Sequence, residues 1–363
     1  MDDCRVALIG FGYAGRVFHA PLIGATQGLR IAAVASSRPD TVRAALGDVA
    51  VEATPEAAIA RDDIDLVVVA TPNDRHAPLA MAALDAGKHV VVDKPFALTL
   101  ADAAAVVDAA RRAKRLVSVF HNRRWDSDFL TVAAAIARGD LGQVVHFESH
   151  FDRFRPQVRD RWRERRVPGG GIWYDLGPHL IDQAVHLFGM PERIEADLAV
   201  LRPGGQADDW AHAVLAYPDK RVIVHASMLS AGGSPRFVVH GTGGTLVKAM
   251  PDQQEAQLLA GMIPGVPGWG EDPDPAILHD GAGSRAVATV SGDQRRFYRG
   301  VVAAIRGEGP NPVPPEEALA TMSLIEAGLR ASAERRAVTP ALPANVTMSS
   351  ETPWRLEGRP PRP

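Results

Sequence analysis

At 363 residues the chain is long enough for two domains with cores of ordinary size. Hydrophobic residues make up 46% and charged residues 23%, the balance of a globular protein, and a net charge of -3 argues against nucleic-acid or membrane-surface partners. The single cysteine, Cys4, excludes an internal disulfide framework and suits a reducing cytoplasm, while no leader-like opening and no bilayer-length apolar run is found, so a cytoplasmic location is expected.

Residues 5–9 are a short apolar strand, followed at once by Gly10-Phe11-Gly12-Tyr13-Ala14-Gly15 and then by helical apolar spacing through Val17 and Phe18. This is G-x-G-x-x-G between a strand and a helix, the setting in which it binds a dinucleotide. Gly10 permits the tight turn, Gly12 lets the backbone approach a pyrophosphate, and Gly15 lets helix and strand pack closely, with the helix N-terminus attracting the anion. A second strand is expected at 29–35. An NAD enzyme places an acid at that strand's end, about 20 residues past the last glycine. Here Ser36-Ser37-Arg38 stands instead, two hydroxyls and a guanidinium that suit a 2′-phosphate. NADP(H) is therefore favoured, with NAD(H) possible, and Asp40 is read as the cap of the next helix.

Strand and helix then alternate. Thr54-Pro55-Glu56 starts a helix, and 65–70 is a buried strand ending in Thr71-Pro72-Asn73. Residues 74–86 form a helix closed by Gly87. Val90, Val91 and Val92 leave no room for alternation and read as a buried parallel strand stopped by Pro95, which sets Lys94 at its carboxyl end, where open parallel sheets bind ligands. Thr99-Leu100-Ala101-Asp102 is a capping box for a helix to Lys114, and 116–120 is a sixth strand ending at His121-Asn122. The fold class expected is α/β: an N-terminal Rossmann doubly wound parallel sheet (1–122) plus a C-terminal α+β domain with an open, largely antiparallel sheet (123–345). A Pro- and Arg-rich tail follows at 346–363.

In the second domain a helix at 126–138 leads into alternating strands at 144–151, 193–201, 211–217 and 221–227, the last two joined by Pro218-Asp219-Lys220. Residues 250–285 are rich in Pro and Gly without a clear period, a lid or an insertion. Helices are expected near 294–306 and from 316 to about 337. Gly169-Gly170-Gly171 precedes a helix on which Asp175, His179, Asp182 and His186 share a face. Asp175 and His179 admit three readings: a helix start with a packed imidazole, a metal site, or a catalytic pair in which Asp175 orients His179. No cysteine or second cluster supports the metal, and none is expected. Arg153 to Arg166 is arginine-rich, either a solvated loop or, through Trp162 and Arg163, part of the cleft.

Together, Gly10-x-Gly12-x-x-Gly15, Thr71-Pro72-Asn73 with His76, Asp93-Lys94-Pro95, and Gly169-Gly170-Gly171 with Asp175-x-x-x-His179 resemble the Gfo/Idh/MocA oxidoreductases over roughly residues 5–335. The resemblance implies a Rossmann domain joined to an α/β domain whose open sheet often makes the dimer contact, hence a homodimer or homotetramer. It makes Lys94 the catalytic lysine and Asp175 and His179 the substrate-facing pair. Cofactor contacts are expected from the turn 10–15, from Ser36, Ser37 and Arg38, from Thr71, Pro72, Asn73 and His76, and from Asp93, Lys94 and Asn122. Substrate contacts are expected from Arg124, Asp152, Trp162 and Arg163 beside the catalytic three. The chain departs from the family's Glu-Lys-Pro at Asp93, which puts that carboxylate's role in question. His121-Asn122-Arg123-Arg124-Trp125-Asp126 and the Gly-rich Asp175 motif look like the branch containing NADP-dependent scyllo-inositol dehydrogenases. The expected function is reversible hydride transfer on a sugar or cyclic polyol. A non-catalytic nucleotide- or sugar-binding regulator and a cofactor-assisted glycosidase are the alternatives on this fold.

Overall fold

A computed structural model describes residues 3–344 and 346. The tail expected at 346–363 lies, Val346 apart, outside them. The chain forms two compact units, each drawn from separate segments: Met1–Trp125, Gln253–Gly270 and Asp293–Leu319 in the first, and Asp126–Asp252, Glu271–Gly292 and Ala320–Pro363 in the second. The first crossing between units falls after Trp125. Two later segments, however, return to the first unit.

The first unit alternates β1 (Cys4–Ile9), α1 (Ala20–Gly24), β2 (Leu29–Ala35), α2 (Pro39–Leu46), β3 (Ala50–Glu52), α3 (Pro55–Ile59), β4 (Leu66–Val69), α4 (His76–Asp85), β5 (His89–Val92), α5 (Leu100–Ala113) and β6 (Val117–Val119). The strands lie in the order β3-β2-β1-β4-β5-β6, all parallel. Valine-rich runs such as Leu66–Val69 and Val90 to Val92 are wholly buried because helices cover both faces of such a sheet. The order reverses between β1 and β4, so the carboxyl ends of β1, β4 and β5 border the crevice where such sheets take ligands. Thr99 caps α5, accepting from Asp102 N–H at 3.0 Å and donating to the Asp102 carboxylate at 2.7 Å. Thr54 caps α3 by accepting from Ala57 N–H. Asp40 does not cap α2: Arg38 holds that position, Pro39 fills the first turn, and Asp40 lies inside the helix with its carboxylate in solvent.

The second unit contains α6 (Ser127–Arg138), β7 (Val144–Asp152), α7 (Ile172–Phe188), β8 (Arg193–Ala199), β9 (Trp210–Ala216), β10 (Arg221–Ser227), β11 (Phe237–Gly241) and β12 (Gly244–Lys248). After α8 (Gln254–Leu259), which belongs to the first unit, come β13 (Ala276–His279) and β14 (Ser284–Val287). α9 (Arg295–Ile305) returns to the first unit, and α10 (Pro315–Glu334) starts there and ends in the second. The sheet order is β14-β13-β12-β11-β7-β10-β9-β8, antiparallel except for β7 beside β10. The hairpin of β11 and β12 and the strands β13 and β14 extend the sheet beyond the four strands expected.

One face of this sheet packs on α7 around Trp173, which is buried and donates its indole N–H to the Ile325 carbonyl at 3.0 Å. Arg236, 2% exposed, binds Asp128 of α6, Ser149 of β7 and Gln183 of α7, with its guanidinium over the rings of Phe151 and Phe237. The other face carries alternate half-exposed side chains, including Glu148, His150, His212, Val214, Ile223 and His225. Among the described residues no helix is long and apolar enough to cross a membrane.

Candidate active site

The glycine turn is built as its spacing requires. Gly10 has φ +99°, and a Cβ there would lie 2.5 Å from the Ala70 carbonyl oxygen. One on Gly15 would lie 2.2 Å from the Gly10 carbonyl. A Cβ on Gly12, by contrast, meets nothing within 4 Å. The protein's own packing thus demands the first and third glycines, while the second faces open space. Phe11 is buried, Tyr13 is exposed, and Ala14 leads into a five-residue π-helical turn, Gly15–His19. Tyr13 donates to Glu255 Oε1 at 2.8 Å, and Arg123 binds the other oxygen at 2.8 Å. The segment that read as a lid or insertion therefore begins with a helix, α8, fastened to the glycine turn.

At the end of β2, Ser36 N–H bonds the Glu52 carbonyl, and Arg38 N–H bonds the Ser36 hydroxyl at 3.1 Å. Ser37 and the Arg38 side chain are exposed. No acid replaces them at the strand's end.

Thr71 lies beside Gly10, its methyl 3.4 Å from that glycine's built Cβ. Pro72 follows, and Asn73 is buried in the turn Asn73–Arg75. His76 opens α4 but its ring does not face the crevice: it is 1% exposed, with Nδ1 2.7 Å from the Pro95 carbonyl and Nε2 3.0 Å from the Thr71 carbonyl. It ties the two loops together, and burial pushes its pKa down against the pull of Asp93. Any part it has in holding a cofactor is through those loops.

Lys94 is half-buried just past β5, and its peptide with Pro95 is cis. Asp93 beside it is buried and accepts the Lys94 N–H at 2.8 Å. Burial raises the Asp93 pKa, but His19, Lys94 and His76 outweigh it and hold the carboxyl down at about 2. Asn122 is buried in the turn Asn122–Trp125. Arg124 is buried too and pairs with Glu317 of the same unit, so its guanidinium is committed to the frame rather than offered to a ligand.

In the second unit the helix α7 carries the pair. Gly171 has φ +91°, and Asp208 sits where its Cβ would be, at 2.0 Å. That approach lets the Asp208 carboxylate accept from Trp173 N–H at 2.7 Å and its carbonyl from Ile172 N–H at 2.8 Å, closing the helix start. Asp175 and His179 follow one turn apart. Asp175 is partly exposed and His179 is 6% exposed, with Phe151 edge-on to its ring at 6.3 Å. Arg163 Nε lies 3.7 Å from Asp175 Oδ1, and its guanidinium stacks on Trp162 at 4.8 Å. The arginine-rich loop therefore delivers Arg163 and Trp162 to Asp175. Asp152 does not join them. It follows the alternation of β7 onto the opposite face from Phe151, with Oδ1 3.5 Å from His225 Nε2. The sequence reading missed His19, Glu255 and Tyr298; a lone histidine or tyrosine in an apolar helix carries no local signal of its partner. Among the described residues no group of three or more His, Cys, Asp or Glu is placed to hold a metal ion.

Comparisons with known proteins agree across the chain. Residues 4–121 match the model "Oxidoreductase family, NAD-binding Rossmann fold", and residues 133–339 match "Oxidoreductase family, C-terminal alpha/beta domain", the two halves of the Gfo/Idh/MocA models. The uncharacterized oxidoreductase YdgJ of Escherichia coli is 50% identical over 338 residues, 92% of this chain and 98% of that one. The scyllo-inositol 2-dehydrogenase (NADP(+)) IolW of Bacillus subtilis is 34% identical over 344 residues, 93% of this chain and 96% of that one. A crystal structure of a putative oxidoreductase from Klebsiella pneumoniae superposes with a TM-score of 0.90 at 50% identity, covering 95% of this chain and 97% of that one.

Proposed function

The chain belongs to the Gfo/Idh/MocA family of oxidoreductases, and from that premise we propose that it is an NADP(H)-dependent dehydrogenase acting reversibly on a carbinol carbon of a sugar or cyclic polyol. The observation that carries the reading is Lys94, half-buried at the carboxyl end of β5 with its backbone fixed by a buried carboxylate, in the same unit as the open Gly12 cradle. A bound nicotinamide supplies the hydride acceptor in oxidation and the donor in reduction. Lys94 stabilises the alkoxide and polarises the carbonyl in the reverse direction. His179 takes the hydroxyl proton as general base through its ring nitrogen. Asp175 orients His179 and, with Arg163, gathers charge and hydrogen-bond donors for substrate hydroxyls. Ser37 and Arg38, exposed where an NAD enzyme keeps an acid, support the 2′-phosphate. The similarity to IolW, named for NADP(+) and scyllo-inositol, supports the same cofactor and an inositol-like substrate.

The open face of the second sheet is the proposed contact for a second copy. Seven gaps of about 4.8 Å and strands averaging about 20 Å give roughly 670 Å², close to the roughly 800 Å² each partner contributes to a standard interface. The test of function is a screen of NADP+ and NAD+ reduction against inositols and sugars, with Lys94→Ala as control. The variant should retain NADPH binding and lose turnover by about 10²–10³ or more. Near-normal turnover in it removes Lys94 from the reaction. A wild type that binds NADPH but neither oxidises polyols nor reduces their ketones is not a dehydrogenase of this class.

A further inference from the structure

Behind Lys94 lies a row of buried groups that the reaction above does not use. His19 ends the π-helical turn that begins at Gly15, and it is fully buried. Its Nδ1 is 2.6 Å from the hydroxyl of Tyr298, a fully buried residue of α9, and its ring lies 4.3 Å from that of Phe120. Its Nε2 has no hydrogen-bond partner among the described residues; Asp93 Oδ2 stands at 3.8 Å. The other Asp93 oxygen accepts the Lys94 N–H. Tyr298, His19, Asp93 and the Lys94 backbone therefore form one line, from α9 through the glycine-turn helix to the end of β5.

The chemistry gives this line a direction. Burial, with the Asp93 charge, raises the Tyr298 pKa well above the phenolic range, so the phenol keeps its proton; the Asp93 carboxylate facing Nε2 can only accept, which favours the tautomer with the proton on Nε2 and leaves Nδ1 to accept from the phenol. A neutral imidazole that accepts at Nδ1 carries its own proton on Nε2, the atom facing Asp93. Asp93 is one methylene shorter than the glutamate of the family motif, and an ion-pair gap remains instead of a hydrogen bond. Movement of about 1 Å by the turn that carries His19 would close it to an N–H···O distance. That turn starts at the glycines that would receive the pyrophosphate, and π-helical turns recur at functional sites.

Resting on the reading of Lys94 as the lysine of hydride transfer, we propose that His19, oriented by Tyr298, is a positioning residue that holds the Asp93 carboxylate and so couples seating of the dinucleotide on the Gly10–Gly15 turn to the placement of Lys94. The charged and titratable groups around Asp93 are His19, His76, Lys94 and Tyr298, and His76 is engaged by two carbonyls.

The test uses three variants of the full chain. His19→Leu removes the Nε2–H, His19→Gln returns an N–H donor to that position, and Tyr298→Phe removes only the phenolic oxygen. In the protein without nucleotide, NMR follows the Asp93 carboxyl titration and the His19 ring nitrogens. Asp93 should titrate at a higher pH in His19→Leu than in wild type, with His19→Gln returning toward wild type. Tyr298→Phe should change the His19 tautomer populations. Adding NADP+ without polyol should shift the wild-type His19 and Asp93 signals. In turnover, His19→Leu should lose about tenfold or more in kcat, with the acid limb of its pH profile moved to higher pH and NADPH affinity within a few-fold of wild type. Unchanged Asp93 titration in both His19→Leu and Tyr298→Phe overturns the proposal. So do His19 and Asp93 signals that ignore NADP+, or equal losses in NADPH affinity and kcat with no rescue by Gln. If the wild type oxidises no polyol, the dehydrogenase reading fails alone, since the NMR titrations and the NADP+ response still decide the role of His19.

Discussion

Arg38 and Ser37 stand exposed just past β2, on a turn that the Ser36 hydroxyl braces through the Arg38 N–H. A charged hydrogen bond to phosphate is worth about 1.5–3 kcal/mol, so Arg38→Ala should raise the NADPH dissociation constant by roughly 10–150-fold while changing that of NADH less than about threefold. Fluorescence titration with both nucleotides checks this, and equal effects on the two would assign Arg38 a structural task. At this scale the sequence was informative where a residue's environment is set by its immediate neighbours. The glycine turn, Lys94 after a valine run, and the caps at Thr54 and Thr99 all stand as their spacing implied. It misled where a side chain's partner is distant in the chain. Arg124 is consumed by Glu317, 193 residues away. Asp152 turns away from α7 because strand alternation, not proximity to a motif, decides its face.

The elements of the second unit lock through two features with no local signature. Gly328 of α10 and Gly177 of α7 make room for Trp173: a Cβ on Gly328 would lie 2.4 Å from the indole. In an exposed helix, replacing glycine by alanine gains about 1 kcal/mol. Here Gly328→Ala should destabilise instead, since overpacking costs about 1–3 kcal/mol, and a urea midpoint at or above wild type would show the helices free to part. Arg236 is the second feature. Arg236→Ala would strand the fully buried Asp128 carboxylate, so about 3–5 kcal/mol of stability should be lost, read from the same urea unfolding. Strong alternation made β7, β9 and β10 legible. β11 to β14 are short, interrupted by Gly and Pro, and exist because the neighbouring strand offers a free edge. Propensity read along the chain does not contain that edge. The same holds for the division into units, where the chain returns twice to the first after leaving it.

Across the whole molecule the least ordinary surface is the open face of the eight-stranded sheet, where imidazoles gather on neighbouring strands. His146 and His150 each hydrogen-bond Glu148, at 2.7 and 2.9 Å. His225 stands 3.5 Å from Asp152 and 3.4 Å from His212, ring nitrogen to ring nitrogen, and Trp210 stacks on His212. Burial lowers the pKa of both His212 and His225 below 6.5, with the neighbouring His150 adding to it against Glu148, Asp197 and Asp152. A histidine whose folded value is lowered is protonated first in the unfolded chain, so stability is full above 6.5 and declines as pH falls below it. Glu148 works in a separate window. His146 and His150 outweigh its burial and depress it below 4.5, so its contribution holds above that value and is lost as pH falls through the folded one. Covering this face with a second copy would deepen the burial of His212 and His225 and lower them further, so proton uptake should oppose association as well as folding. Acidification from about pH 7.5 to about 5.5, a span that brackets the ordinary histidine value, should therefore lower the unfolding midpoint and, in sedimentation at fixed concentration, shift the population toward single chains. A His212→Gln, His225→Gln double variant should show a shallower dependence in both measurements over that interval. A variant as pH-sensitive as wild type in both would place the sensitivity elsewhere in the chain.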